Sequence, residues 1–547
     1  GNYHPPLCFC GSCEKAYKAD TGKALPAKAD LAQVAYREYL VWRGERLVSH
    51  YRKLKERLAE ARPGCAVMTW TVNAGRYGHF LHSLRAMPVS LNRVIDLPMQ
   101  EWWLDETNLG ASVAPAFGAA YLRAVAGGPC ASEPYLMSRG NPYGTDSFPH
   151  HERLTRTFLA LSHGNAAAHS LGWAGHRDST REVFDAVKVR ERWMRDAEPL
   201  PWAAMLVSEQ TRQFHAWQDI AGRFLPHVFG AFRAAMEEHR PLSLLTDEDI
   251  AAEALAPFAV LVLPGAAALS DKQGQAIRDW VRGGGGLVAT GDSSLCDELG
   301  RARKDFALAD LFGVSYLGRP AAPARRGEVD ANFAIALDAA YWRERVGLAR
   351  LRWGKHAVTD DPALKKLVPT GDVQFRGPSV MVSEPKDGVA WRLVPEGWKK
   401  AALPGAVCRA VGKGRVAYLA SCLEAALWSY GYPYQRRLFV RCLDWAARAA
   451  PPVRVEAPMC VQATYFRQGT RMVVHLFNGV NTTGGHGLPS AEVPLREETV
   501  PIHDIRVTFN EGVKRVTLQP EGRELKVERG TAIVPKLHLH SMVVAEE

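Results

Sequence analysis

The sharpest local chemistry in the sequence is Cys8-Phe-Cys10-Gly-Ser-Cys13. Three thiolates this close can converge on one soft cation, and Zn²⁺ takes four ligands in a tetrahedron. Spacing alone supplies no fourth ligand, although His4 is near. The alternative is a reduced loop with no metal. A second, looser group is Asn73, Asp96, Glu101, Trp102, Trp103, Ser138, Arg139, Trp173, His176 and Arg177, all at or just past the ends of short apolar runs. Tryptophan with carboxylate suits a sugar: the indole covers the apolar ring face, and the carboxylate meets hydroxyls or does acid/base work. Glu101 is the strongest acid/base candidate among them, the competing reading being a solvated loop glutamate or a binding residue.

These residues need elements to hold them. Residues 27–61 read as one long amphipathic helix, with Leu31, Val34, Leu40, Val41, Leu47 and Leu54 on its apolar face and Pro63-Gly64 as its stop. Strand-like runs follow at 66–71, 93–97, 134–137 and 166–173, with helical segments between them. Strand and helix alternation with polar and aromatic residues past the strand ends is the pattern of a (β/α)₈ barrel, whose active sites lie at that face. Only about four barrel strands can be counted where eight are needed. The expectation is therefore the C-terminal half of a TIM-like barrel over residues 1–200, with the other strands upstream of Gly1 or absent. Gly1 is not a start methionine and no signal peptide is visible, so the chain reads as beginning within something longer.

Residues 201–450 read as a doubly wound α/β domain. Its clearest unit is the apolar run Phe258–Pro264, a helix opened by Ser270 with Gln273 three residues on, and a second apolar run Leu287–Thr290. Gly283-Gly-Gly-Gly286 lies between helix and strand. A phosphate loop follows a strand and opens a helix, the reverse order, so the glycines read as a helix stop. One helix is expected over 213–239 and a closing helix over 434–449, and residues 318–404 read as an irregular insertion. After Pro451-Pro452, alternating runs and turn signals predict a β-sandwich over 451–547.

Composition sets the outer bounds. Hydrophobic content of 47% and charged content of 23% are those of an ordinary globular chain. No apolar stretch reaches the length of a membrane helix. The net charge of +10 is small for 547 residues, its arginines are scattered and no nucleic-acid motif is present, so neither membrane nor nucleic acid is an expected partner.

The order of elements resembles the family 42 glycoside hydrolases, the thermophile-type β-galactosidases. Cys8-x-Cys10-x-x-Cys13, with Tyr17 and Leu25-Pro26 after it, is similar to the family's cysteine loop, which implies a structural zinc completed by an upstream cysteine. Met205-Leu-Val-Ser-Glu-Gln210, the 258–291 unit and Asp310-Leu-Phe-Gly313 look like the family's trimerisation domain, itself flavodoxin- and class I amidotransferase-like; this implies a homotrimer. An amidotransferase would need a cysteine on the turn where Gly291-Asp-Ser-Ser294 has none. The resemblance implies a β-galactosidase-type glycosidase acting on a carbohydrate without an organic cofactor. It also exposes two departures. No glutamate stands beside Asn2, where the family has its acid/base, and Ser138 follows Met137 where the family has its nucleophile. A non-catalytic, carbohydrate-binding or scaffold protein on a degenerate barrel is the reading these departures favour.

Overall fold

The computed structural model describes residues 8–70, 88–102, 113–134, 148–168, 177–319, 349–395, 402–480, 482, 495–510 and 512–546. The chain divides into two compact units. One holds residues 1–201, 239–244 and 451–547, the other residues 202–238 and 245–450. The fold is mixed α/β. Among the described residues no helix is long and apolar enough to cross a membrane.

The first unit opens with α1 (Gly11–Thr21) and α2 (Val34–Ala61). Tyr17, Tyr36 and Tyr39 pack these helices together, with Leu25, Leu31 and Trp42 around them. Four parallel strands follow: β1 (Met68–Trp70), β2 (Leu97–Trp102), β3 (Ala131–Pro134) and β4 (Ala166–Ala167), hydrogen-bonded in that order. Between and after them run α3 (Val113–Ala126), α4 (His150–Ser162) and α5 (Arg177–Lys188). One expected strand is displaced. Residues 89–93 form a 3₁₀ turn in which Asn92 Nδ2 donates to the Val89 carbonyl at 2.8 Å, so β2 starts only at Leu97. The third strand includes Ala131–Pro134, with its polar Ser132 satisfied by side chains of its neighbours; the rest of the apolar run 134–137 lies outside the described residues.

The sheet of the second unit includes β5 (Ala203–Leu206), β6 (Leu242–Leu245, of which residues 242–244 count with the first unit), β7 (Val260–Leu263) and β8 (Gly286–Thr290); β5 with β7 and β7 with β8 pair in parallel, and every residue of β5, β7 and β8 is buried. That is the mark of strands covered on both faces. Leu261, Leu263, Leu287 and Ala289 face Ile277, Trp280 and Val281 of α7 (Asp271–Arg282). The Ser270 hydroxyl accepts the Gln273 N–H while the Gln273 side chain accepts that of Ser270, closing the capping box. The glycine run is steric: a Cβ on Gly285 would stand 2.4 Å from the Trp280 ring, and one on Gly286 2.2 Å from the Ala446 carbonyl oxygen.

The helix expected over 213–239 is broken. Residues 211–215 form a π turn, Asp219 caps a short helix, and α6 spans Leu225–Glu237. The segment read as an irregular insertion supplies three strands of the main sheet, β9 (Ala349–Trp353), β10 (Asp372–Phe375) and β11 (Val389–Pro395). With β12 (Leu403–Val411) and β13 (Gly414–Leu419) they extend one sheet in the order β10-β9-β11-β12-β13-β8-β7-β5-β6. β13 runs parallel to β8, and the strands beyond it are antiparallel. Two helices, α8 (Leu423–Tyr430) and α9 (Pro433–Ala446), follow β13.

Residues 453–546 form two antiparallel sheets, of four strands and of six. The six-stranded one takes Glu198–Pro199 as its last strand. Valines 453, 455, 461, 474, 507, 516, 534 and 543 fill the space between them.

Candidate functional site

The candidate site is built at the carboxyl ends of β2 and β3. Gln100 Nε2 donates to Ser132 Oγ at 2.8 Å, Ser132 Oγ donates to Asn165 Oδ1 at 2.8 Å, and Asn165 Nδ2 donates to the Ala119 carbonyl of α3 at 2.8 Å. This buried relay defines the helix-covered face of the sheet. Successive strand residues alternate faces, so Glu133 belongs to the opposite face. Its Cα register partner is Glu101 on β2. Glu133 is only 8% exposed. Sequence reading does not find it, because Ser132-Glu133 precedes the apolar run that predicts the strand.

The other candidates separate. Asp96 precedes β2 at its amino end, away from the carboxyl-end face where it was expected. There it pairs with Lys55 Nζ at 2.5 Å and accepts the Val67 N–H at 2.9 Å. Lys55 first, then that N–H, hold its carboxyl below the ordinary value. The reason is the late start of β2, one residue after Asp96. Glu101 and Trp102 end β2, and Arg177 begins α5. Asn73, Trp103, Ser138, Arg139, Trp173 and His176 lie outside the described residues.

Cys8, Cys10 and Cys13 do converge: their sulfurs lie within 4.8 Å of one another. Cys10 stands at the N-cap position of α1 and Cys13 lies in its first turn. Tyr39 anchors the loop, its hydroxyl donating to the Cys8 carbonyl at 2.7 Å and its ring stacking on Phe9 at 5.7 Å. The backbone N–H of Cys13 and the Cys8 thiol hold Cys10 down to about 7, whereas burial and the neighbouring thiols push Cys13 up to about 11. Three soft donors on one side of a small sphere fit Zn²⁺. No fourth His, Cys, Asp or Glu joins this group among the described residues.

A second convergence joins residues with no local signature in the sequence. His227, Cys422 and Glu424, far apart in sequence and all buried, also bring ligand atoms within 4.8 Å of one another.

Solved structures similar to this chain are glycosidases. The β-galactosidase from Bacillus circulans sp. alkalophilus matches with a TM-score of 0.69 at 13% identity, covering 100% of this chain and 78% of that one. Gan42B, a GH42 β-galactosidase, matches with a TM-score of 0.68 at 13% identity over 100% of this chain and 77% of its own. The fold is family 42 glycoside hydrolase-like. α-L-Fucosidase isoenzyme 2 from Paenibacillus thiaminolyticus also shares it, with a TM-score of 0.64 at 18% identity over 100% of this chain and 76% of that one. No family model matches the sequence, and no curated protein matches it.

Proposed function

We propose that this chain is a glycoside hydrolase-like protein of the β-galactosidase type, the C-terminal half of a (β/α)₈ barrel acting by acid/base hydrolysis on a β-linked sugar. The observation that carries the reading is the pairing of Glu101 with Glu133 in register at the carboxyl ends of adjacent parallel strands. Active sites of such barrels sit at that end. Adjacent strands lie about 4.8 Å apart, so residues in register on one face are neighbours, and a retaining glycosidase uses two neighbouring carboxyls. In this reading one carboxyl protonates the leaving oxygen and the other attacks the anomeric carbon, with Trp102, Trp103 and Trp173 packing sugar rings and Asn73, Ser138, Arg139, His176 and Arg177 meeting hydroxyls.

The test is a panel of aryl β-glycosides with wild type, Glu101→Gln and Glu133→Gln. Turnover that either substitution lowers by a factor of about a hundred or more is expected, with retained anomeric configuration. Turnover indifferent to both substitutions would remove these residues from the chemistry. A non-catalytic carbohydrate-binding protein is the second reading, and the near-complete burial of Glu133 favours it. It predicts sugar binding, followed by tryptophan fluorescence, with no turnover of any glycoside.

Two further features belong to the same reading. Cys8, Cys10 and Cys13 hold one structural Zn²⁺ if a fourth ligand joins them, and three thiolates leave such an ion little Lewis acidity for catalysis. The chain assembles as a homotrimer through its middle domain, as the likeness to a trimerisation domain implies.

A further inference from the structure

The carboxyl ends of β7, β8 and β13 gather side chains for which the carbohydrate reading has no use. Cys422 is the residue before α8, Glu424 lies in the first turn of that helix, and His227 lies in the first turn of α6. His227 Nδ1 stands 2.7 Å from Glu424 Oε1. Thr290, the last residue of β8, donates its hydroxyl to the same oxygen at 2.5 Å and accepts the Gly265 N–H at 2.9 Å. Glu424 is fully buried, yet its other oxygen, Oε2, has no hydrogen-bond partner. A buried carboxylate oxygen left in that state is costly and calls for a ligand.

The backbone packs closely against the His227 and Cys422 side chains. A Cβ on Gly291 would stand 2.9 Å from Cys422 Sγ and 3.7 Å from His227 Cε1, and one on Gly265 2.9 Å from the His227 ring. Both glycines have positive φ, +54° and +57°, so the backbone turns tightly around the group. A thiol, an imidazole and a carboxylate form a donor set suited to zinc. Around one tetrahedral zinc with bonds of about 2.0–2.3 Å, ligand atoms lie roughly 3.3–3.8 Å apart. The three donors here, within 4.8 Å of one another, need only small side-chain adjustments to meet that spacing.

We propose that His227, Cys422 and Glu424 bind one zinc ion in the second unit, with a water in the fourth position, at a site separate from the cysteine cluster of the first unit. Binding displaces the Cys422 thiol proton. Burial keeps that thiol well above its usual range, so without metal it is neutral. Thr290 orients the carboxylate from the second shell. Asp292 adds negative charge nearby and is itself paired with His215, at 3.3 Å, and with Arg319. The ion ties α6 and α8 to the strand ends.

The experiment uses the full chain with Cys8, Cys10 and Cys13 changed to Ser, purified without chelator under reducing conditions and titrated with Co²⁺. One equivalent is expected to bind with thiolate-to-cobalt charge-transfer absorption, to raise the thermal midpoint and to be displaced by Zn²⁺. In that background Cys422→Ser abolishes the charge-transfer absorption, and Glu424→Gln weakens binding at least tenfold. A triple variant that melts cooperatively but binds less than about a tenth of an equivalent overturns the proposal. So does a cobalt spectrum without thiolate absorption, or one unchanged by Cys422→Ser. The titration of the triple variant decides the matter even where Cys422→Ser does not fold.

Discussion

Glu152 on α4 is fully buried between two arginines. Arg156 Nε donates to Oε1 at 2.7 Å, while Arg496 donates from Nε to Oε2 at 2.8 Å and from Nη2 to Oε1 at 2.9 Å. Burial alone would raise this carboxyl; the two positive charges outweigh it and hold it at about 2, against an ordinary 4.5. Its contribution, on the order of 3 kcal/mol, is therefore present above pH 4.5 and lost as pH falls through about 2. Glu152→Gln leaves Arg156 buried beside a neutral amide and is expected to cost about 3–5 kcal/mol in urea unfolding at pH 7. A loss under about 1 kcal/mol would mean that water already solvates the pair. A second group titrates in a higher window. Burial pushes His163 down to about 4 and His475 to about 3, from an ordinary 6.5. His475 Nδ1 lies 3.1 Å from His540 Nε2, and Arg190 Nε donates to His540 Nδ1 at 3.1 Å, an arrangement that suits neutral rings. Protons then bind the unfolded chain first, so stability is full above pH 6.5 and falls as the solution is acidified below it. For His163 the loss by pH 5 is on the order of 2 kcal/mol. His163→Gln is expected to flatten the fall in melting temperature between pH 7 and pH 5. An unchanged slope would show that His163 is reached by water and protons in the native state.

At the scale of elements, the contact of α6 with α8 depends on one missing side chain. A Cβ on Gly230 would stand 1.8 Å from the Glu424 carbonyl oxygen. Gly230 lies one turn after His227, so the closeness that brings these helices together also brings His227 to Glu424. Gly230→Ala must push α8 outward, and overpacking of this kind costs about 1–3 kcal/mol or more. The expected result is a lower melting temperature together with loss of the imidazole–carboxylate hydrogen bond, read from the His227 ring resonances. A variant as stable as wild type would mean that the helices can separate freely. The Thr290 hydroxyl and the tight turns at Gly265 and Gly291 act in the same place, at the carboxyl ends of buried parallel strands, where side chains from separate crossovers converge.

At the scale of the whole molecule, the proposed trimer predicts a solution mass about three times the 60.3 kDa of one chain. Light scattering coupled to size exclusion at micromolar concentration measures it directly. A single-chain mass sinks the trimer, and a doubled mass points to an interface of a different symmetry. Salt is a useful second axis. The net charge of +10 is spread along the chain, so an assembly held by apolar burial should survive high ionic strength, whereas one held by surface ion pairs should not.

The sequence by itself determined the features that local chemistry dictates. Ser270 and Gln273 specified a helix start, the β-branched run through Val260 and Val262 specified a buried strand, the glycine run specified a helix stop, and three cysteines within six residues specified their own convergence. Each of these depends on neighbours a few residues away, and such neighbours are legible in a string. Tertiary structure alone decided the rest. Asp96 fell at the wrong end of β2 because a 3₁₀ turn delayed the strand. Glu133 found Glu101 because two strands pair in one register out of several. Residues 349–395 became sheet because β12 had an edge left to cover. His227 meets Cys422 and Glu424 across almost two hundred residues, since parallel strands require long crossovers and bring distant strand ends together in space. No periodicity in a single chain encodes which of those ends will be neighbours.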